Sequence, residues 1–277
     1  MVIVIMGVIG GMVAVFMKSP IDAYFDSARR AGLTDTADTV TRRMARDIQK
    51  ALPNSIKTSS DGASGNRCVE FIPTKTGARY RAEGTGALSF VQPPNTSFNM
   101  LRGNATSTGV TPAQQIEDQD IVVVYNLGIP GADAYEQSNT ATVNGAPTPA
   151  GTAGAPETVI ALTSSRPASS PTFPFESPNN RFQVVPAREK VVAYVCSGNN
   201  IYRIASQNLA PICPSGAVTS TSPNVVNQPI LARNATCTFD YGGSDLQRNA
   251  LLRIRITITE QGESVRLYHE VHVNNTP

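Results

Sequence analysis

The chain has 277 residues, which is enough for a membrane anchor and one or two modest domains. Its net charge is +2, only 16% of its residues are charged, and no cluster of Lys or Arg favours nucleic acid as a partner. The 21 glycines and 20 prolines exceed what a helical bundle tolerates, so strands and loops are expected to dominate beyond any first helix.

Residues 1–17 (MVIVIMGVIGGMVAVFM) carry no charge and predict a membrane-spanning or otherwise buried helix of about 25 Å. The basic start and small-residue cleavage site of a signal peptide are missing from this run, and the residues that follow continue the helix. Such a segment needs apolar neighbours, either lipid or other copies of itself. The side chains expected to make these contacts are Val2, Ile3, Val4, Ile5, Val8, Ile9, Val13, Val15 and Phe16.

Residues 18–53 predict an amphipathic continuation of the same helix, with a kink at Pro20 and an end at Pro53. Apolar residues recur every three or four positions, at Ile21, Tyr24, Phe25, Ala28, Ala31, Ala37, Val40, Met44, Ile48 and Leu52. The last four are expected to pack on a sheet. The opposite face is charged and includes Asp35, Asp38, Arg42, Arg43, Arg46 and Asp47, which form either a solvated surface or pairs between subunits.

Residues 54–277 predict a β-rich domain, so the fold class is α+β, with a long helix packed on an antiparallel sheet. Alternating or β-branched runs predict strands at 67–73, 87–91, 120–125, 157–163, 181–185, 190–196, 200–205, 235–241, 250–259 and 264–273. The last two form a hairpin across a four-residue turn at 260–263. Its apolar face is expected to cover the helix between Val40 and Leu52.

Residues 126–180 are rich in Gly, Ala, Pro, Ser, Thr and Asn, and predict long exposed loops around one short strand. Two interpretations remain open for this segment. It is either a variable outward-facing surface or slack chain between strands, and we favour the second.

Four cysteines and no CxxC motif favour two disulfides in an oxidising compartment over a zinc site. A bridge between Cys196 and Cys213 closes a short loop and is the preferred pairing, which leaves Cys68 with Cys237. Three pairings are possible in principle.

Catalytic chemistry has little support in the sequence. His269 and His272 point to opposite faces of a strand and cannot share one metal without a bulge. The nucleotide-binding, hydrolase and metalloprotease motifs searched for are missing. We therefore expect neither an enzyme nor a cofactor.

The layout of an apolar helix, an early proline, an amphipathic second half and a β-domain resembles type IV pilins and type II secretion pseudopilins. The stretches that carry a closer resemblance, to MSHA-type minor pilins, are SPIDAYFDSARRAGLTDTADTVTRRMARDIQKALPNSIK, RCVEFIPTKTGARYRA, FQVVP, VAYVC and LYHEVHVNNTP. The resemblance implies single-pass storage in the inner membrane with a periplasmic domain, and then assembly or initiation of a pilus at the cell surface. It also implies other pilin subunits and the inner-membrane assembly machinery as partners.

One departure from the family pattern concerns the opening MVIVIMGVIG, which resembles the end of the pilin signature. The leader Gly, the Phe after it and the early Glu are not in this sequence, so cleavage, methylation and the Glu contact cannot be carried over. We expect a start codon assigned inside the signature or a chain cut there. Two other functions remain open: a minor pseudopilin of a type II secretion system, and a membrane-tethered adhesin.

Overall fold

The computed structural model describes residues 1–59, 67–163, 170–213, 225, 228–242 and 249–277, without the side chains of Ala14, Val15 and Ser19. One helix, α1, runs over Val2–Ile48. The strands that follow it in the described residues are β1 Lys57–Ser59, β2 Cys68–Phe71, β3 Thr76–Arg79, β4 Ser97–Met100, β5 Ile121–Val123, β6 Thr140–Val143, β7 Thr148–Thr152, β8 Ala155–Thr163, β9 Arg181–Val185, β10 Val191–Ser197, β11 Asn200–Ser206, β12 Ile230–Arg233, β13 Ala235–Gly242, β14 Asn249–Glu260 and β15 Glu263–Asn274.

These strands form three antiparallel sheets, which confirms the predicted α+β class. The central sheet has the order β1-β2-β10-β11-β12, and the small sheet has the order β13-β14-β15. The outer sheet has the order β3-β9-β5-β6-β8-β4, and β7 also pairs with β8. The helix packs against β14 and β15 of the small sheet, as the sequence predicts for the late hairpin.

Strand β10 explains how the layers are held together. Its side chains are buried on both faces, because Val192, Tyr194 and Cys196 lie in one apolar core and Val191, Ala193 and Val195 lie in another. The first, which we call the helix core, joins the helix, the small sheet and one face of the central sheet. The second, the middle core, joins the other face of the central sheet to the outer sheet. A third core lies on the far side of the outer sheet.

The predicted disulfide pairing is wrong, although the expected number of two bridges is confirmed. Cys68 is joined to Cys213, with the Cα atoms 5.7 Å apart, and Cys196 is joined to Cys237 at 5.8 Å. The reason is the alternation along β10. Cys196 points into the helix core with Cys237, whereas Cys68 lies in the middle core and Cys213 packs against it.

The helix ends at Ile48, five residues before the predicted stop at Pro53. Past a short turn, the amide of Leu52 donates to the carbonyl of Ile72 at 2.7 Å, and Ala51 bridges to Pro73. The chain has therefore joined the edge of the sheet before it reaches the proline. Leu52 is buried, but in the middle core and not on the helix face where the sequence places it.

The segment 126–180 is also more ordered than predicted, in the part that the structure describes; residues 164–169 lie outside it. It contributes β6, β7 and β8, and Tyr135 is buried in the middle core. Asn126 and Asn139 are fully buried, and the side-chain amide of Asn126 donates to the carbonyl of Pro53 at 2.7 Å. The hydrogen bond to Pro53 ties this segment to a residue distant in the chain, so buried polar contacts as well as apolar burial hold it in place.

Two smaller predictions are corrected as well. Residues 87–91 form no strand, because this segment bends and only Leu88 is buried there. The late hairpin turns on two residues and not four: Gln261 and Gly262 have φ of 49° and 88°. Positive φ at both positions suits the twist of the flanking strands, which lets them extend to Glu260 and Glu263.

Candidate interaction surface on the amino-terminal helix

The amino-terminal third of the helix presents an uninterrupted apolar surface. The predicted contact residues whose side chains are described are all exposed, from 49% at Val13 to 88% at Ile3. Val15 was also predicted, but its side chain lies outside the described part. An 18-residue window of this helix has a mean hydropathy of 2.2 and none of it is buried, so it is long and apolar enough to cross a membrane. Such a surface requires lipid or protein neighbours.

The helix is continuous through Pro20. Proline has no amide hydrogen, so the carbonyl of Phe16 loses its usual partner four residues along the helix. The predicted kink at this position stays a prediction. Lys18, the first charge of the chain, lies just before it and marks the end of the apolar run.

A second exposed stretch links the apolar run to the domain. Ile21, Tyr24 and Phe25 were expected on the buried stripe, but they are exposed because the small sheet begins to cover the helix only at Leu33. The rings of Tyr24 and Phe25 lie edge to face with centroids 5.9 Å apart. Ala28 and Ala31 are exposed for the same reason. Aromatic residues beside an apolar helix are typical of a membrane–water boundary.

The docked part of the helix buries the stripe that the sequence predicts, with one addition. Val40 is 3% exposed, and Met44 and Ile48 are fully buried in the helix core. Ala37 is fully buried as predicted, and Leu33 extends the stripe by about one turn towards the amino terminus. Burial of each large apolar side chain contributes about 1.5–3 kcal/mol, so these contacts fix the helix to the domain.

Polar contacts hold the carboxyl-terminal end of the helix. Asp47 accepts hydrogen bonds from the Tyr194 hydroxyl at 2.7 Å and from Nε of Arg203 at 2.9 Å. Arg203 also donates both terminal nitrogens to Glu189 at 3.0 Å. The hydrogen bond to Glu189 raises the pKa of Arg203, and burial raises the pKa of the Tyr194 hydroxyl. An acidic residue in the last helical turn opposes the helix dipole, and Arg203 offsets that repulsion.

One exposed ion pair joins the helix to the hairpin turn. Nε of Arg30 donates to Glu263 at 2.7 Å, and a second nitrogen donates at 3.2 Å. This pairing lowers the pKa of the Glu263 carboxyl, mainly through the hydrogen bond from Arg30. Arg30 is exposed and Glu263 is half-buried, so the pair is expected to contribute little to stability.

Among the predicted charged residues, Arg42 donates to Asp38 at 2.6 Å along the helix and Asp47 joins the anchor just described. Tyr194, Glu189 and Arg203 were not predicted as contact residues. The one indication in the sequence was Arg203, a charged residue on a strand that pairs with an apolar strand.

His269 and His272 lie on opposite faces of β15, as predicted. Within the described residues, no group of three His, Cys, Asp or Glu side chains is placed to hold a metal.

No family model matches the chain, no curated protein matches it, and no solved structure matches its fold. The resemblance to type IV pilins therefore stays an expectation drawn from the sequence stretches that carry it.

Proposed function

We propose that the chain is a minor pilin subunit that takes part in assembling or initiating an MSHA-like type IV pilus. The observation that carries the proposal is the exposed apolar part of the helix, which continues without a break into a segment docked on the domain. A subunit of this kind acts by packing its helix among the helices of neighbouring subunits, and it has no catalytic role.

The continuity of the helix favours assembly over simple anchoring. A tethered domain needs only a flexible link between its anchor and its body. Here the helix core and the contacts of Asp47 fix the domain to the helix. The domain therefore keeps one orientation relative to the docked part of the helix, and such a link supports packing in a repeating filament more than a flexible tether would.

The proposed location follows from the same features. Before assembly the apolar helix would lie in the inner membrane as a single span, with the β-domain in the periplasm. Two disulfides suit that oxidising compartment. The proposed partners are other major and minor pilin subunits, together with the inner-membrane machinery that assembles them.

The test compares two identical substitutions in cells that naturally make the chain. Val8→Asp places a charge within the exposed apolar helix, and Val91→Asp makes the same change at a side chain that is 69% exposed on the β-domain. Surface filaments are sheared off and separated from membranes, and the chain is detected in each fraction. We expect the wild type and Val91→Asp in both fractions, and we expect Val8→Asp to be lost from the filaments.

These fractions, together with assays of protein secretion and ligand binding, separate the alternatives. A wild-type chain that stays wholly with the membranes, in cells whose filaments persist after its gene is deleted, would contradict the pilin role. A defect in protein secretion without loss of surface pili would favour a pseudopilin. Retention of ligand binding by a chain lacking residues 1–20 would favour a tethered adhesin.

A further inference from the structure

The two disulfides differ in how far solvent reaches them. Cys196 is 3% exposed and Cys237 is 4% exposed, and both lie in the helix core. In the other bridge Cys68 is fully buried, but Cys213 is only half-buried where it packs against the middle core. Disulfide exchange begins when a thiolate attacks one of the two sulfurs, so its rate depends on access to that sulfur. Cys213 is therefore the cysteine that an external thiol can reach most readily.

The segment that carries Cys213 is held by one carboxylate oxygen. Oε2 of Glu70 accepts hydrogen bonds from the backbone amide of Ile212 at 2.5 Å and from the backbone amide of Cys213 at 2.7 Å. Glu70 is only 2% exposed, so these hydrogen bonds are shielded from water. The side chain of Ile212 is itself buried in the middle core. Both contacts fix the backbone next to the sulfur of Cys213.

The register of the central sheet places Glu70 beside the sulfur partner of Cys213. Cys68 and Glu70 are two residues apart on β2, so their side chains share one face of the sheet. They pair with Val195 and Ala193 of β10, whose side chains lie in the middle core. The strand that supplies one cysteine of the bridge therefore also supplies the group that holds the other.

The hold on Cys213 does not depend on the bridge itself. The hydrogen bonds to Glu70 come from backbone amides, which reduction of the bridge leaves chemically unchanged. A thiol held beside its partner re-forms a bridge faster than a free one, because the partner is present at high effective concentration. We propose that Cys213 is the sulfur through which the Cys68–Cys213 bridge exchanges with external thiols, and that Glu70 positions Cys213 so that the bridge re-forms.

The exchange takes two steps. In the first, an external thiolate attacks Sγ of Cys213, a mixed disulfide forms there, and Cys68 leaves with the electron pair of the broken S–S bond and takes up a proton. In the second, another external thiolate attacks the external sulfur of the mixed disulfide. This step releases Cys213 as a thiol and gives the oxidised, disulfide form of the external thiol. Re-formation of the bridge reverses both steps, with that external disulfide as the oxidant.

Reduction of the full chain in detergent micelles by glutathione tests the choice of bridge. Free thiols are blocked with N-ethylmaleimide at intervals and located by peptide mapping. We expect the Cys68–Cys213 bridge to open about tenfold or more faster than the Cys196–Cys237 bridge, because the buried bridge is reached only after local opening. Equal rates, or faster opening of Cys196–Cys237, would overturn the assignment.

Two single substitutions show which sulfur is attacked. Cys68→Ser and Cys213→Ser remove the same bridge, so they relax the same constraint on the unfolded chain. With oxidised glutathione, Cys68→Ser should gain one glutathione on Cys213, whereas Cys213→Ser should leave the buried Cys68 unmodified over the same time. Modification of Cys68 at an equal rate would contradict the proposal. An intact Cys196–Cys237 bridge in both variants establishes that the helix core is still folded.

The role of Glu70 is tested by the rate at which oxidised glutathione re-forms the reduced Cys68–Cys213 bridge. Glu70→Ala should slow this closing about tenfold, because both amides lose their acceptor. Glu70→Gln should close at the wild-type rate, since its side-chain oxygen can accept the same two hydrogen bonds. Closing at the wild-type rate in Glu70→Ala, or equally slow closing in both variants, would overturn the positioning role.

Discussion

Replacing Met44 with alanine is expected to loosen the docking of the helix on the small sheet. Met44 is fully buried in the helix core, between Val40 and Ile48 on the stripe. Its truncation leaves a cavity that the two sheets fill only in part, because strands paired on both sides cannot move inwards freely. The free energy of unfolding should fall by about 2–5 kcal/mol, which corresponds to a drop in midpoint temperature of roughly 4–20 °C.

The assay is urea denaturation of the full chain in detergent with both disulfides intact, followed by far-ultraviolet circular dichroism. The chain has no Trp, so indole fluorescence cannot report the transition. Trypsin provides a local readout, since Arg42, Arg43 and Arg46 lie on the exposed face of the docked segment. Undocking should speed cleavage after these residues, because a protease needs the helix to open locally.

Met17→Ala is the matched control, because it removes the same side chain from the same helix at a position that is 58% exposed. It should leave the unfolding of the domain unchanged. A Met44→Ala chain within about 0.5 kcal/mol of the wild type would refute the docking argument, as this is the range of ordinary surface substitutions. An equal loss in both variants would show that detergent contacts, and not the helix core, control the transition.

Three further predictions concern the polar and covalent links of the domain. Replacing Cys196 and Cys237 together by alanine should lower the free energy of unfolding by about 2–5 kcal/mol in urea denaturation, because the bridge restricts the unfolded chain. Burial raises the pKa of Glu70, so the folded state holds a proton that the unfolded state releases above its ordinary value of 4.5. Stability should therefore decrease as the pH rises above 4.5, and Glu70→Gln should flatten that slope in unfolding measured across pH. Asp47→Asn should lower stability by about 1–3 kcal/mol, because it weakens two charge-assisted or buried hydrogen bonds.

Each of these has its own check. Peptide mapping without reduction must recover Cys196 joined to Cys237 before the first result is interpreted, and a bridge from Cys196 to any other cysteine would contradict the structure. An unchanged pH slope in Glu70→Gln would mean that another group dominates the titration. Asp38→Asn, at an exposed helix position, is the matched control for Asp47→Asn, and an equal effect of the two would contradict the anchor at the helix end.

The sequence predicts best those helices and strands that bury one face against a single apolar core, because burial then gives a regular apolar pattern. The stripe from Val40 to Ile48 and the alternation from Leu252 to Ile258 each face a single core, and the structure confirms both. Polar strands were not predicted, because they face no core and so have no apolar pattern. Residues such as those of β7 (Thr148–Thr152) are mostly exposed, so pairing and not burial makes them strands, and composition alone indicates a loop.

Long-range partners explain the remaining errors. The disulfide pairing depends on which core each cysteine faces, and that depends on the position of β10 between two sheets. The short loop between Cys196 and Cys213 favoured a bridge between these two. Neighbouring positions on a strand point to opposite faces, however, so closeness in sequence does not show which core a cysteine faces. The partners of Asp47 could not be predicted for the same reason. Tyr194 and Arg203 lie about 150 residues further along the chain, and only strand pairing brings them to the helix.

The helix has a part that is packed in the core and a part that is exposed, and the two meet near Leu33. From Leu33 onwards the helix is part of the core, so its direction is fixed by the small sheet. Before Leu33 the described side chains of the helix are exposed or half-buried, and the ion pair of Arg30 with Glu263 lies at the boundary. Bending at Pro20, where one helical hydrogen bond is missing, would turn the apolar segment without disturbing any core contact. The domain can therefore keep one structure while the apolar segment of its helix changes direction.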